Sequence, residues 1–138
     1  SKIKEYTEKY PDRTECAKRV LKYNSLPGTS RHHWGTDIDL ISKQLSYWNS
    51  AQGKKTYAWL QANAHKYGFF QPYNGECNTG HGEEKWHWSY YPLSDLYLKE
   101  YLKVVTTSDI KGFNSDFSAE TFDVINNYVL GISKVSYE

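Results

Sequence analysis

Two short segments of the sequence combine side chains that could bind a metal ion. Residues 30–39 read SRHHWGTDID, and residues 84–90 read EKWHWSY. Together they contain three histidines and three acidic residues, enough for two imidazole ligands, a carboxylate ligand and a further acid nearby, and neither segment contains cysteine. A catalytic zinc ion takes three nitrogen or oxygen ligands from the protein and leaves a fourth position for water, whose pKa it lowers to about 7. These residue types favour a hydrolytic zinc site, but their spacing alone leaves the ligands unassigned.

The order and spacing of the two segments resemble the motifs of the VanY-type D-alanyl-D-alanine carboxypeptidases. This family belongs to a wider group of zinc peptidases that includes VanX and the hedgehog signalling domain. The sequence contains Ser-x-His-x-x-Gly-x-x-x-Asp, beginning at Ser30, and then Glu-x-Trp-His, beginning at Glu84. Residues 58–69, AWLQANAHKYGF, resemble the family's helix-to-strand segment between the motifs. The resemblance covers about residues 14–104.

The resemblance implies a specific site and reaction. His32, Asp39 and His87 would bind Zn²⁺, and Glu84 would be the general base. The substrate would be a peptidoglycan stem peptide, with D-alanine released from its carboxyl end. An L,D-carboxypeptidase or an endopeptidase on the same scaffold is the nearest alternative. A non-catalytic zinc-containing cell-wall binding module is the alternative from another class.

Three further residues are candidate substrate contacts: Ser30, Asp37 and Trp86. Asp37 stands where the family usually has alanine, and on a strand it would share a side with Asp39. It could therefore crowd the metal, hydrogen-bond a ligand histidine or contact a substrate amine. Ser30 could equally be a simple turn residue. Trp86 could form a cleft wall or belong to the core.

The choice of general base depends on where a strand begins. Strict alternation would place Glu83 and His87 on one face and Glu84 on the other. Glu84 can serve only if it precedes the regular strand or lies at a bulge, so Glu83 remains the alternative. Arg31 is expected in solvent, as is His81, which could alternatively overhang the cleft. His33 is expected at the surface or in a structural hydrogen bond, and His65 partly exposed on its helix.

Periodicity and capping residues predict an α+β fold with a small central antiparallel sheet flanked by helices, and the resemblance implies the same. We expect helices over residues 14–24, 55–67, 94–103 and 118–131, with Thr14, Ser94 and Ser118 at their starts and Gly68 and Gly131 at their ends. We expect strands over residues 34–40, 69–71 and 85–90, and a loop over residues 74–83.

Composition sets limits on class and partners. The 138 residues fit one domain, residues 1–138, and the net charge of +1 gives no strong field for nucleic acid or an anionic membrane. No apolar run is long enough to span a bilayer. Cys16 and Cys77 are too few for a disulfide scaffold, but one bond between them is open. A monomer is expected.

The family usually carries an arginine upstream of the first motif, where it steadies the substrate. Arg13 and Arg19 precede Ser30 but do not stand in such a setting. The chain is therefore expected to lack part of its natural N-terminal region. A cell-wall substrate implies export to the periplasm or cell envelope, with the signal segment absent from this chain.

Overall fold

A three-stranded antiparallel sheet lies at the centre of the fold. The computed structural model describes residues 9, 12–77, 79–111, 120 and 122–135. The strands are β1 (Asp37–Asp39), β2 (Phe69–Phe70) and β3 (His87–Tyr90), in the order β1-β3-β2. With the surrounding helices, this sheet confirms the α+β class predicted from the sequence.

The register of the sheet decides which side chains are neighbours. Asp39 pairs with His87, and Asp37 pairs with Ser89. Residues directly opposite one another in an antiparallel pair project from the same face, as do residues two apart on one strand. One face of the β1–β3 pair therefore carries two aspartates, a histidine and a serine.

In the part of the chain that the structure describes, four α-helices and several shorter turns surround the sheet. The helices are α1 (Arg13–Leu21), α2 (Leu45–Asn49), α3 (Ala51–Asn63) and α4 (Tyr91–Val104). The 3₁₀ turns are Arg31–Trp34, Ala64–Tyr67 and Thr107–Asp109, and a π turn covers Ile125–Val129. None of the helices in the described ranges is long and apolar enough to cross a membrane.

Three predicted helix starts were wrong, and one of them is the start at residue 55, since α3 begins at Ala51 after the capping side chain of Ser50. The side chain of Asp12, not Thr14, caps α1, because its carboxylate accepts hydrogen bonds from the backbone N–H groups of Thr14 and Glu15. Helix α4 begins at Tyr91, since Pro92 is tolerated in a first helical turn. Ser94 therefore lies inside α4, where it is fully buried.

Of the other predicted boundaries, the stop at Gly68 was confirmed, one was wrong and one lies outside the described residues. Helix α3 ends at Asn63, and Gly68 closes the 3₁₀ turn that follows it, with a φ of 80° that favours glycine. The first strand is shorter than predicted, because residues up to Trp34 form a 3₁₀ turn closed by Gly35 at φ 71°. Ser118 lies outside the described residues. In the described part of the last predicted helix, the structure has the π turn Ile125–Val129.

Two clusters of buried apolar side chains support these elements. One joins α1 to the C-terminal part of the chain and contains Leu21, Ile110, Phe122, Val124 and Tyr128. The other packs α2 and α3 against β3 and contains Trp48, Leu60, Ala64, Trp86 and Trp88. The second cluster fixes the strand that carries His87. Cys16 and Cys77 are free thiols.

Candidate metal centre

Three side chains from separate elements converge beside the β1–β3 pair. His32 comes from the first 3₁₀ turn, Asp39 from the end of β1 and His87 from the start of β3. One nitrogen or oxygen of each lies within 4.8 Å of the others. Asp39 Oδ1 is 3.3 Å from His32 Nε2 and 3.9 Å from His87 Nδ1. The structure therefore brings together the three residues that the resemblance implied as ligands, which we call the ligand cluster.

The surroundings of Asp39 fit a cation. Its Oδ1 is buried, and no residue that the structure describes makes a hydrogen bond to it. Its Oδ2 is 2.6 Å from Lys43 Nζ. A buried acceptor without a donor is destabilising, and a cation at Oδ1 would remove that cost. Two imidazole nitrogens and one carboxylate oxygen are a donor set that zinc accepts, so the residues present fit zinc.

Asp37 orients both histidines of the ligand cluster. His32 Nδ1 lies 3.2 Å from the backbone carbonyl oxygen of Asp37. His87 Nε2 lies 2.7 Å from the Asp37 carboxylate. Such bonds to the outer nitrogen of a histidine fix the ring and leave the other nitrogen to face a metal. Here the inward nitrogens are His32 Nε2 and His87 Nδ1.

Glu84 lies next to the ligand cluster, whereas Glu83 does not. Glu84 precedes the strand, in a turn in which the His87 N–H donates to the Glu84 carbonyl at 3.2 Å. Its Oε2 is 3.0 Å from His87 Nδ1, and its side chain is buried. Glu83 is more exposed and is 3.9 Å from Lys85. Strand alternation does not govern this choice, because the regular strand begins only at His87.

The Asp37 carboxylate lies in the interior, with none of its side chain exposed. Burial alone would raise its pKa, but the hydrogen bond with His87, the charge of Arg31 and the hydrogen bond with Ser89 hold that pKa well below its usual range. Of the three roles that the sequence allowed, this placement favours the hydrogen bond to a ligand histidine. It offers no surface to a substrate.

His87 has a carboxylate at each ring nitrogen. Burial alone would lower its pKa, but hydrogen bonds with Asp37 and Glu84 raise it above the ordinary value. A cation that binds at Nδ1 would compete with the proton shared with Glu84.

The expectations for two polar side chains were wrong. Arg31 is almost fully buried, because the first 3₁₀ turn brings its Nε to 3.0 Å from Asp37 Oδ2. His81 is buried as well, with Nδ1 bonded to the carbonyl oxygen of Leu21 at 2.8 Å, and burial lowers its pKa. His33 and His65 are exposed, as expected.

A cavity of about 570 Å³ opens over the ligand cluster. Ser30 and Trp86 line it together with Glu84 and the three candidate ligands. Its volume is in the range of pockets that bind small ligands. Two of the three predicted substrate contacts therefore border the cavity, and Asp37 does not.

Comparison with known proteins identifies the family to which this sequence belongs. The family model VanY, D-alanyl-D-alanine carboxypeptidase, matches residues 3–93, which include both motifs. The chain is 30% identical over 102 residues to an uncharacterized protein of Haemophilus influenzae, covering 64% of this chain and 78% of that protein. It is 27% identical over 111 residues to a D-alanyl-D-alanine carboxypeptidase of Enterococcus faecalis, covering 73% of this chain but only 40% of that protein. No solved structure gave a significant match. The chain belongs to the VanY family of D-alanyl-D-alanine carboxypeptidases.

Proposed function

We propose that this chain is a zinc-dependent D-alanyl-D-alanine carboxypeptidase that hydrolyses peptidoglycan stem peptides. One observation carries the proposal. The buried Oδ1 of Asp39, without a hydrogen bond from any described residue, faces two histidine nitrogens, and Glu84 lies beside them. Membership of the VanY family supports peptidase chemistry at the same residues.

His32 Nε2, Asp39 Oδ1 and His87 Nδ1 would hold the ion. Zinc bound there supplies a Lewis acid that activates water and polarises the scissile carbonyl. Glu84 takes the proton from the attacking water and passes it to the leaving amine of D-alanine. Its position supports this role, because its Oε2 lies 3.0 Å from the nitrogen that would face the ion.

The cavity would hold the carboxyl end of the peptide. Ser30 and Trp86 line it and are the proposed substrate contacts, through a hydroxyl and an indole ring.

A peptidoglycan substrate also places the activity outside the cytoplasmic membrane, in the periplasm or cell envelope. Cell fractionation that locates the full gene product in the cytoplasm would contradict this part of the proposal.

The test combines metal content with product analysis. Protein purified without chelator should contain about one zinc per chain and should release D-alanine from a defined stem pentapeptide. Glu84→Gln should keep the zinc and lower the rate by about a hundredfold or more, since general-base catalysis contributes on that scale. Glu83→Gln is the matched control, and we expect it to leave the rate unchanged.

The outcomes separate the alternatives. Release from a tetrapeptide only would indicate an L,D-carboxypeptidase, and cleavage of cross-links would indicate an endopeptidase. Zinc binding without hydrolysis of any of these peptides would favour the binding module. A chain without zinc, or an inactive Glu83→Gln beside an active Glu84→Gln, would contradict the proposed site.

A further inference from the structure

We propose that Asp37 is a positioning residue that selects the ligating nitrogen of both histidines. Its carboxylate holds His87, and its backbone carbonyl holds His32. The inference rests on the zinc site of the proposed function, but it concerns a residue that the family motif does not supply. The family usually has alanine at this place, so the side-chain part of the arrangement depends on a departure in this chain.

The carboxylate of Asp37 is saturated with donors. Its Oδ2 accepts from His87 Nε2 at 2.7 Å and from Arg31 Nε at 3.0 Å. Its Oδ1 accepts from the hydroxyl of Ser89 at 2.7 Å and that of Thr36 at 2.8 Å. An ionised carboxylate offers about four lone-pair sites. With these sites filled, Asp37 can anchor a ligand but is a poor ligand itself.

The direction of these hydrogen bonds determines which nitrogen is left for a metal. A carboxylate only accepts, so His87 Nε2 must carry the hydrogen that it shares with Asp37. Nε2 is enclosed by the buried Asp37 carboxylate, so Nδ1 is the nitrogen that can ligate: it lies 3.9 Å from Asp39 Oδ1, and a cation there would displace the hydrogen that Nδ1 shares with Glu84. His32 is oriented through the other nitrogen, since its Nδ1 donates to the Asp37 carbonyl and its Nε2 lies 3.3 Å from Asp39 Oδ1. One residue thus sets two rings in complementary orientations.

Arg31 makes the buried carboxylate possible. A carboxylate without a counter-charge is strongly disfavoured in a protein interior. Arg31 supplies that charge, and its Nη2 also donates to the Ser89 hydroxyl at 3.0 Å, which in turn donates to Asp37. The guanidinium carbon lies 4.8 Å from the centre of the Trp34 ring, which restricts its movement. Arg31 therefore holds the carboxylate through the same oxygen, Oδ2, that accepts from His87.

The main test measures zinc affinity by competition with a chelator. The double variant Arg31→Met/Asp37→Leu replaces the buried ion pair by apolar side chains of similar size, a change that proteins often tolerate. It leaves His87 Nε2 without its acceptor. We expect zinc affinity to fall by about 10- to 100-fold, the usual effect of removing such a partner. Wild-type affinity in the folded double variant would overturn the inference.

The matched control is Ser133→Ala. It removes a buried hydrogen bond from the Ser133 hydroxyl to the backbone carbonyl of Gln71, and none of the hydrogen bonds described for Ser133 joins it to either histidine. We expect it to lower stability and to leave zinc affinity unchanged. An equal loss of affinity in the control would show that the double variant acts through general destabilisation, which would also overturn the inference.

A second measurement needs no variant. Long-range ¹H–¹⁵N correlation spectra of the zinc-loaded chain distinguish protonated from metal-bound ring nitrogens. We expect zinc at His87 Nδ1 and His32 Nε2, with hydrogens on the other two nitrogens. Zinc at His87 Nε2 would overturn the inference while leaving the proposed zinc site intact. A chain that binds no zinc would instead overturn both.

Discussion

The two ends of strand β1 carry the same residue type in opposite surroundings. At the first end, the Asp37 side chain is completely buried, and its partner Arg31 is only 1% exposed. At the other end, the Asp39 side chain is 19% exposed, and its partner Lys43 is 71% exposed. Asp37 accepts hydrogen bonds from four side chains, whereas Oδ1 of Asp39 receives none from the residues that the structure describes.

This difference separates a residue that supports the fold from one that is available to a ligand. Buried polar atoms are almost always hydrogen-bonded. What distinguishes Asp39 Oδ1 is that it lacks a donor and also lies beside two histidine nitrogens, which points to a ligand. Natural proteins keep such destabilising features where function requires them. We therefore expect substitutions at Asp37 to affect stability most and substitutions at Asp39 to affect metal binding most.

The largest effect should come from Asp39→Ala. We expect zinc content to fall from about one per chain to nearly none, with loss of D-alanine release, because the carboxylate ligand is removed. The zinc-free protein should change in stability by less than about 1 kcal/mol, since only an exposed ion pair is lost. Elemental analysis and urea unfolding measure the two quantities. If Asp39→Ala retained its zinc, Asp39 would not be the ligand that sets it apart from Asp37.

In the zinc-free chain, Asp37→Ala should lower the free energy of unfolding much more than Asp39→Ala does. It leaves the Arg31 guanidinium buried without its carboxylate, and breaking one side of a buried ion pair costs about 3–5 kcal/mol. Urea unfolding of the zinc-free protein measures this loss. The double variant Arg31→Met/Asp37→Leu should recover most of it. If Asp37→Ala costs no more than Asp39→Ala, burial does not distinguish the two ends.

The resemblance of two motifs to the VanY family was sufficient to name the residues of the ligand cluster, whereas residue types and spacing alone left the ligands unassigned. The sequence also predicted the α+β class, since hydrophobic periodicity and the Gly68 stop signal are local features. Glu84, rather than Glu83, lies beside the ligand cluster because the regular strand begins only at His87. Helix α2 was missed, because its five residues give too little periodicity to recognise.

The burial of polar side chains could not be predicted, because it depends on partners that are distant in the chain. His81 bonds to the Leu21 carbonyl, 60 positions away. Asp37 receives the Ser89 hydroxyl from 52 positions away, and only that convergence decides among its three possible roles. Arg31 was expected in solvent for the same reason, since nothing local to it shows that the guanidinium is enclosed.

Zinc should stabilise the folded chain by binding at Asp39 and the two histidines. A ligand that binds only the folded state at 100 times its Kd raises the free energy of unfolding by about 2.7 kcal/mol. We expect this gain in the wild type and in Glu84→Gln, which keeps all three ligands. Thermal melts with and without zinc, after chelator treatment, should show no gain in Asp39→Ala. A gain in that variant would indicate zinc binding elsewhere.

The smallest effect should come from Lys43→Gln, which breaks the other ion pair of β1. Lys43 Nζ is only 2.6 Å from Asp39 Oδ2, a shorter distance than the 3.0 Å between Arg31 and Asp37. Distance is nevertheless a poor guide here, because an exposed lysine loses side-chain freedom on pairing and its charge is screened by water and salt. We expect a loss of less than about 1 kcal/mol, which should shrink further at high salt. Zinc binding should persist, since Oδ1 is untouched. Urea unfolding at low and high salt measures the change, and a loss as large as that of Asp37→Ala would show that exposure does not set the difference between the two pairs.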